Sequence, residues 1–200
     1  KPGEESTCHN RINIGNKLYS VAYGNPCAVH IDPVEKKPLL HFMPQSKTFS
    51  IATAGCNFAC LNCQNWEISQ TSPSKTRNVP LMPAEVLKSC IDNGCSSVSY
   101  TYSEPISFYE YMYDTARLAS EKGIRNIMVS NGYINPEPLQ KLIPFIDAVN
   151  IDLKVFDKQT YLKLTGGKME HVLNTLLAFK KSKVWLEITN LIVPSWSDNP

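Results

Sequence analysis

Cys56, Cys60 and Cys63 stand in the run Thr53-Ala54-Gly55-Cys56-Asn57-Phe58-Ala59-Cys60-Leu61-Asn62-Cys63-Gln64-Asn65-Trp66, spaced C-x3-C-x2-C. The run follows directly on a β-rich stretch, residues 48–53. Three thiolates this close are metal ligands, and no fourth cysteine or histidine lies nearby to complete the set. A structural zinc site takes four protein ligands. A 4Fe–4S cluster held by only three thiolates keeps one iron open for a small molecule. That open iron points to catalysis rather than scaffolding. Spacing alone leaves two rivals: a zinc site completed by distant His9 or His41, and a cluster closed by a remote cysteine that works in electron transfer.

Such chemistry needs a frame. From Lys47 onward, apolar β-rich runs alternate with segments of helical spacing. Strands are expected at residues 49–53, 97–102, 126–130, 148–153 and 184–193, and helices at 83–91, 105–122, 137–145 and 171–182. Pro83 suits a first helical turn, and Gly94 and Gly123 suit helix stops. Repeated β–α units imply a parallel α/β sheet with right-handed crossovers, in a barrel or a doubly wound form. Residues 17–23 read as a strand, Gly24-Asn25-Pro26 as a turn and residues 28–31 as the partner strand. Residues 1–45 therefore read as a small β-rich N-terminal extension, and residues 46–200 as the main domain.

Ligands of parallel α/β folds gather at the carboxyl ends of the strands. Those ends carry Ser103-Glu104-Pro105, Ser130-Asn131-Gly132, Asp152-Leu153-Lys154, and Glu187 with Thr189 and Asn190. Each also has a structural reading. Glu104 is placed to cap the following helix. Asn131-Gly132 is a common turn dipeptide. Asp152 and Lys154 share one side of an extended strand and suit an ion pair. Glu187 lies in an apolar run and needs a partner if buried.

The triad in this setting resembles the radical S-adenosylmethionine (SAM) superfamily. Asp32-Pro33-Val34-Glu35-Lys36-Lys37-Pro38-Leu39, the run from Ser50 to Trp66, and Glu67-Ile68-Ser69-Gln70 resemble the AmmeMemoRadiSam-system radical SAM proteins. That family is similar in turn to the pyruvate formate-lyase activating enzymes, a likeness that Asp157, Tyr161 and Leu164-Thr165-Gly166 continue. The resemblance implies a partial TIM-type (β/α)6 barrel, truncated here after its fifth strand with the sixth unit beyond Pro200. It implies a 4Fe–4S cluster on Cys56, Cys60 and Cys63, and SAM held by Glu104, Ser130, Asn131, Asp152, Lys154 and Glu187. Reductive cleavage of SAM would release a 5′-deoxyadenosyl radical that takes hydrogen from a substrate. That substrate is a small molecule or a protein, a glycyl-radical enzyme among the candidates. Reduced flavodoxin or ferredoxin would supply the electron.

Two positions depart from the superfamily pattern. Tyr102-Ser103 replaces a pair of glycines before Glu104, and Asn62 replaces an aromatic residue before the third cysteine. Adenine stacking then falls to Phe58 or Trp66. A cysteine-bearing segment often lies upstream in the resembled family, which singles out Cys8.

Composition bounds the rest. Two hundred residues are one ordinary domain, with enough chain to bury a core. A net charge of +2 without a basic block argues against a nucleic-acid or polybasic membrane surface. No apolar run reaches membrane-spanning length. There is no signal-peptide pattern and no initiator Met, and the abrupt ends suit a fragment of a longer protein. Cys27, Cys90 and Cys95 read as small buried hydrophobes. Tyr109, Tyr111 and Tyr113 read as helix packing. A cluster-type triad belongs in a reducing compartment, hence the cytoplasm.

Overall fold

The structure, a computed structural model, describes residues 3–198. It opens with a hairpin of β1 (Arg11–Ile14) and β2 (Lys17–Ser20). The turn residues Gly15 and Asn16 both take positive φ, 57° and 62°, as a tight hairpin turn requires. The alternating Arg11-Ile12-Asn13-Ile14 ahead of Gly-Asn was the signal for β1, which pattern reading passed over. The expected pairing of residues 17–23 with residues 28–31 is corrected here. β3 (Ala28–Pro33) instead pairs antiparallel with β4 (Lys47–Ala52) through six residues and joins the main sheet. The hairpin closes locally on β1, which leaves β3 free to pair across a longer connection.

The main sheet has the order β3-β4-β5-β6-β7-β8, with β5 (Ser97–Tyr100), β6 (Arg125–Ser130), β7 (Ala148–Asp152) and β8 (Trp185–Thr189). From β4 to β8 every neighbour is parallel and the strands follow chain order. The helices are α1 (Trp66–Ser69), α2 (Pro83–Asp92), α3 (Tyr109–Glu121), α4 (Pro136–Leu142), α5 (Lys158–Thr165) and α6 (Met169–Lys181). Pro144 does end α4 early, in a single 3-10 turn. α5 was not expected from periodicity. Its signals are the caps: the Asp157 side chain accepts from the Thr160 amide at 2.7 Å, and Gly166 ends it at φ 78°.

The two faces of the sheet differ in chemistry because side chains alternate. Phe49, Ile51, Val98, Tyr100, Met128, Val149 and Ile151 share one core with residues of α2, α3 and α6. The alternate positions Thr48, Ser50, Ser97, Ser99 and Thr101 are small, polar and buried. Thr48 Oγ1 meets Ser99 Oγ at 2.6 Å. One face is thus a helix-covered core, and the other encloses polar space.

A strap, residues 34–46, crosses that polar face from β3 to β8. Val34 and Leu39 are fully buried against Ile127 of β6 and Ala148 of β7. The Asn150 amide donates to the Pro38 carbonyl at 3.0 Å. At the far end, the backbone amides of Leu40 and His41 donate to the Glu187 carboxylate at 2.9 and 3.1 Å.

The N-terminal hairpin is tied to α3 by a two-pronged Arg11–Glu110 pair, 2.7 Å at each prong. Glu110 is half exposed, so the pair is screened. Arg11→Ala is expected to cost at most about 1 kcal/mol. In thermal unfolding that is a shift of about 2–4 °C for a chain of this size.

Candidate functional site

The cysteine loop leaves β4 and is pinned from several sides. Gly55, at φ 95°, donates its amide to the Ile68 carbonyl at 2.8 Å. The amides of Ala59 and Leu61 donate to the carbonyls of Thr165 and Leu164 at the end of α5, at 3.1 and 2.9 Å. Gln70 donates to the Phe58 carbonyl at 2.8 Å, and Asn57 to the Tyr133 carbonyl at 3.0 Å. The Phe58 amide points at Cys56 Sγ, 3.3 Å away.

All three loop cysteines line one cleft of about 630 Å³ at the carboxyl ends of the strands. Glu104, Ser130, Asn131, Asp152 and Lys154 line the same cleft. Five of the six expected SAM contacts are therefore brought together with the triad. Glu187 is not among the residues that line the cleft. Its carboxylate is taken up by the strap amides and by the Trp185 indole N–H at 2.9 Å. It sits two residues short of Thr189, which does line the cleft.

Glu104 is fully buried and does two jobs at once. It caps the turn that opens at Pro105, accepting from the Ile106 amide at 3.0 Å. It also accepts from Ser130 Oγ at 2.7 Å and from the Asn131 amide at 2.8 Å. Burial pushes its carboxyl up to about 7, and these hydrogen bonds pull against that rise. Asn131 in turn donates to Asn57 Oδ1 at 2.7 Å, which couples the end of β6 to the cysteine loop. Lys154 pairs with Asp152 at 2.7 Å. Burial works against the lysine's charge, but Asp152 holds its pKa above the ordinary value.

Tyr102, which precedes Ser103 and Glu104 in place of a glycine, has an unusual backbone. Tyr102 takes φ 63°, a left-handed conformation that favours glycine. The Tyr102 carbonyl accepts from Asn65 at 2.8 Å, and its hydroxyl donates to Asp32. Asp32 is buried between Lys36 at 2.8 Å and Lys37 at 2.6 Å. This Asp32–Lys36–Lys37–Tyr102 group received no role from the sequence. An Asp followed four and five residues on by lysines was the only hint.

Of the two aromatic residues considered for adenine, Phe58 lines the cleft and Trp66 does not. Phe58 is packed against Tyr133, with ring centres 5.0 Å apart. His9 and His41 do not line the cleft. Tyr111 is core, and Tyr109 and Tyr113 stack on each other at 5.8 Å, so these tyrosines are packing.

By number and type, the cleft's donors suit a three-thiolate cluster rather than a four-ligand zinc cage. Among the described residues, no three histidine, cysteine, aspartate or glutamate side chains, the loop triad included, are drawn together as a group that could hold a metal ion. The cleft offers three thiols on one loop and no fourth. Burial pushes the Cys60 thiol up to about 11, and Cys56 is raised further by burial and by Glu104. A bound metal would take the place of those protons.

A parallel α/β sheet whose first parallel strand runs into a three-cysteine loop defines a class of iron–sulfur protein. The profile of the Radical SAM superfamily matches residues 50–200, and the chain belongs to that superfamily. The superfamily uses a 4Fe–4S cluster and SAM. The chain is 48% identical over 199 residues to an uncharacterised protein of Methanocaldococcus jannaschii, covering 100% of this chain and 59% of that one. It is 28% identical over 151 residues to pyruvate formate-lyase 1-activating enzyme of Escherichia coli K12, covering 72% of this chain and 61% of the enzyme. It is 29% identical over 167 residues to pyruvate formate-lyase-activating enzyme of Staphylococcus aureus, covering 76% of this chain and 64% of the enzyme. The chain thus spans about three fifths of the length of these relatives. Among solved structures, Streptococcus suis SuiB superposes with a TM-score of 0.55 at 16% identity, over 72% of this chain and 32% of SuiB. TYW1 with a lysine-pyruvate adduct bound superposes at 0.52 with 20% identity, over 76% of this chain and 57% of TYW1. Both likenesses concern the fold. Among the described residues, no helix is long and apolar enough to cross a membrane.

Proposed function

We propose that this chain is the catalytic unit of a radical SAM enzyme related to the glycyl-radical activating enzymes. The observation that carries the reading is the single cleft shared by Cys56, Cys60, Cys63, Glu104, Asn131 and Lys154. Cys56, Cys60 and Cys63 would hold a 4Fe–4S cluster. Bound there together with SAM, and given an electron from reduced flavodoxin or ferredoxin, such a cluster would provide the chemistry of a 5′-deoxyadenosyl radical for hydrogen abstraction from a protein or small-molecule substrate.

The residues' own work is binding and aiming. Glu104 presents a buried carboxylate to the ammonium of SAM's methionine moiety. Lys154, steadied by Asp152, presents a cation to its carboxylate. Ser130 and Asn131 hold Glu104 in place and offer polar atoms to the same ligand. Phe58 supplies an apolar wall. The catalytic unit is read as residues 46–200, with the segment 1–45 adding β3 to its sheet and most of the strap that crosses it. The thiol triad suits a reducing compartment such as the cytoplasm.

The test is electron paramagnetic resonance on anaerobically reconstituted, dithionite-reduced protein. A reduced-cluster signal that changes when SAM is added, with 5′-deoxyadenosine among the products, is the expected outcome. A signal indifferent to SAM would make the chain an electron-transfer domain. Zinc without iron would return the triad to structure.

The buried Glu104 also sets a pH dependence. Its carboxyl must ionise to meet an ammonium, and burial holds it near 7. SAM affinity is therefore expected to rise with pH below about 7, by up to about tenfold per unit, and to level off above it. Equilibrium dialysis between pH 6 and 8 reads the slope directly.

A further inference from the structure

The cleft has an end that the proposed cofactor residues leave unused. A smaller cavity of about 250 Å³ adjoins it, lined by Ala28, His30, Lys36, Asn65, Ile68 and Tyr102. Lys36, Asn65 and Tyr102 line both spaces, so the smaller one, a side lobe, shares these three side chains with the larger.

The charges of this wall do not balance. Lys36 and Lys37 share one carboxylate, Asp32, so two positive charges meet one negative. Glu35, the other acid of the segment, turns away to accept from the Gln45 amide at 2.6 Å. The two lysines are not equivalent. Lys37 is sealed in, with 1% of its side chain exposed, against Asp32 and 4.6 Å from the centre of the Tyr102 ring. Lys36 keeps 59% of its side chain exposed, and Asp32 uses only part of its ammonium. At the other end of the cleft stands the carboxylate of Glu104. At the strand ends Lys154 is paired with Asp152, which leaves Glu104 as the unpaired acid there, whereas the strap end carries the surplus lysine.

The wall is also built rather than loose. Tyr102 holds a strained φ of 63° while its ring packs edge-on to His30, with centres 5.7 Å apart. Non-glycine residues in that conformation cluster at ligand-binding walls. Asn65 fixes the Tyr102 carbonyl, and Asp32 fixes its hydroxyl.

We propose that this lobe recognises a small anionic substrate, one bearing a carboxylate or a phosphate. Lys36 is its direct partner, with His30 and Asn65 at the rim. Asp32, Lys37 and Tyr102 are positioning residues that aim Lys36. The proposal rests on reading the main cleft as the SAM site and adds the class of molecule presented to it. A lobe of about 250 Å³ has room for an anionic headgroup.

Equilibrium dialysis of the reconstituted protein against labelled inorganic phosphate and, separately, labelled malonate tests this. One saturable site is expected for at least one of the two, and the arm that saturates names the anion. Lys36→Gln should weaken it by about tenfold or more, Lys36→Arg should retain most of it, and Lys88→Gln, at an exposed lysine of α2, should not change it. Saturation by neither anion, or equal loss in Lys36→Gln and Lys88→Gln, would overturn the proposal. So would binding confined to an acidic peptide such as polyglutamate. The cluster's spectral response to SAM, recorded on the same preparations, separates the two readings. A response without anion binding sinks only the lobe, and anion binding without a response sinks only the SAM reading.

Discussion

Gly55→Ala is expected to unfold the region behind the cysteine loop and to lower iron loading with it. Two effects add. Gly55 takes φ 95°, where an L side chain is strained. A Cβ there would also lie 2.2 Å from the Cys8 carbonyl oxygen and 2.9 Å from the Asn10 side chain. Neither neighbour can simply step aside. Asn10 is fully buried and donates to Ser107 Oγ at 2.9 Å. Moving the Cys8 backbone pulls on the hairpin that Arg11 ties to Glu110. Overpacking and backbone strain together cost about 3 kcal/mol or more. For a chain of this size that lowers the thermal midpoint by about 6–12 °C. Gly94→Ala is the control, since Gly94 has φ 65° but nothing within 4 Å of its Cβ position. It carries the strain without the clash and should cost about 1–2 kcal/mol. Thermal unfolding and iron content of the two variants, side by side, check the argument. Equal losses would show that the contact with the N-terminal segment does not hold the loop.

Glu104→Gln should have the largest effect on ligand binding. The carboxylate accepts three hydrogen bonds, from Ile106, Ser130 and Asn131. An amide of the same shape keeps some of them and loses the charge. Under the proposed function, a buried charge-assisted contact to an ammonium is worth about 2–3 kcal/mol. SAM affinity should therefore fall on the order of a hundredfold, and the rise in affinity with pH should flatten. Stability should respond in the opposite sense. Burial raises the folded-state carboxyl from an ordinary 4.5 to about 7, so the folded protein keeps its proton longer than the unfolded chain does. That contribution is full below about 4.5 and is lost as pH rises to about 7. Glu104→Gln removes this slope. Asp32 works the other way, because its hydrogen bonds from Lys36, Lys37 and Tyr102 outweigh burial and hold it below the ordinary carboxylate range. Its contribution is present above the ordinary value of 3.8 and is lost on acidification. Denaturant melts of the cluster-free variant and parent at pH 5 and pH 7.5 separate the two. A parent whose slope matches the variant would mean that Glu104 is solvated.

The chemistry at the strand ends was legible in the linear chain because it depends on local spacing. Three cysteines in one loop, and polar residues that end successive apolar runs, needed only the alternation of strands and helices to meet at one edge of a parallel sheet. The order β4 to β8 follows the chain order, so no long-range choice stood between pattern and topology. Five of the six expected contacts therefore line one cleft. What pattern could not decide was pairing between segments far apart in sequence. Residues 28–31 carry the same β signal whether they pair with the hairpin or with β4. Glu187 and Thr189 share a face, and only the strap crossing from Lys37 to His41 decides that one binds the strap while the other faces the cleft. Asp32, Lys37 and Tyr102 become one buried group across 70 residues of chain. Local propensity describes a residue's own backbone, whereas partners for buried charge are chosen by the packing of the whole sheet, and that choice exists only in three dimensions.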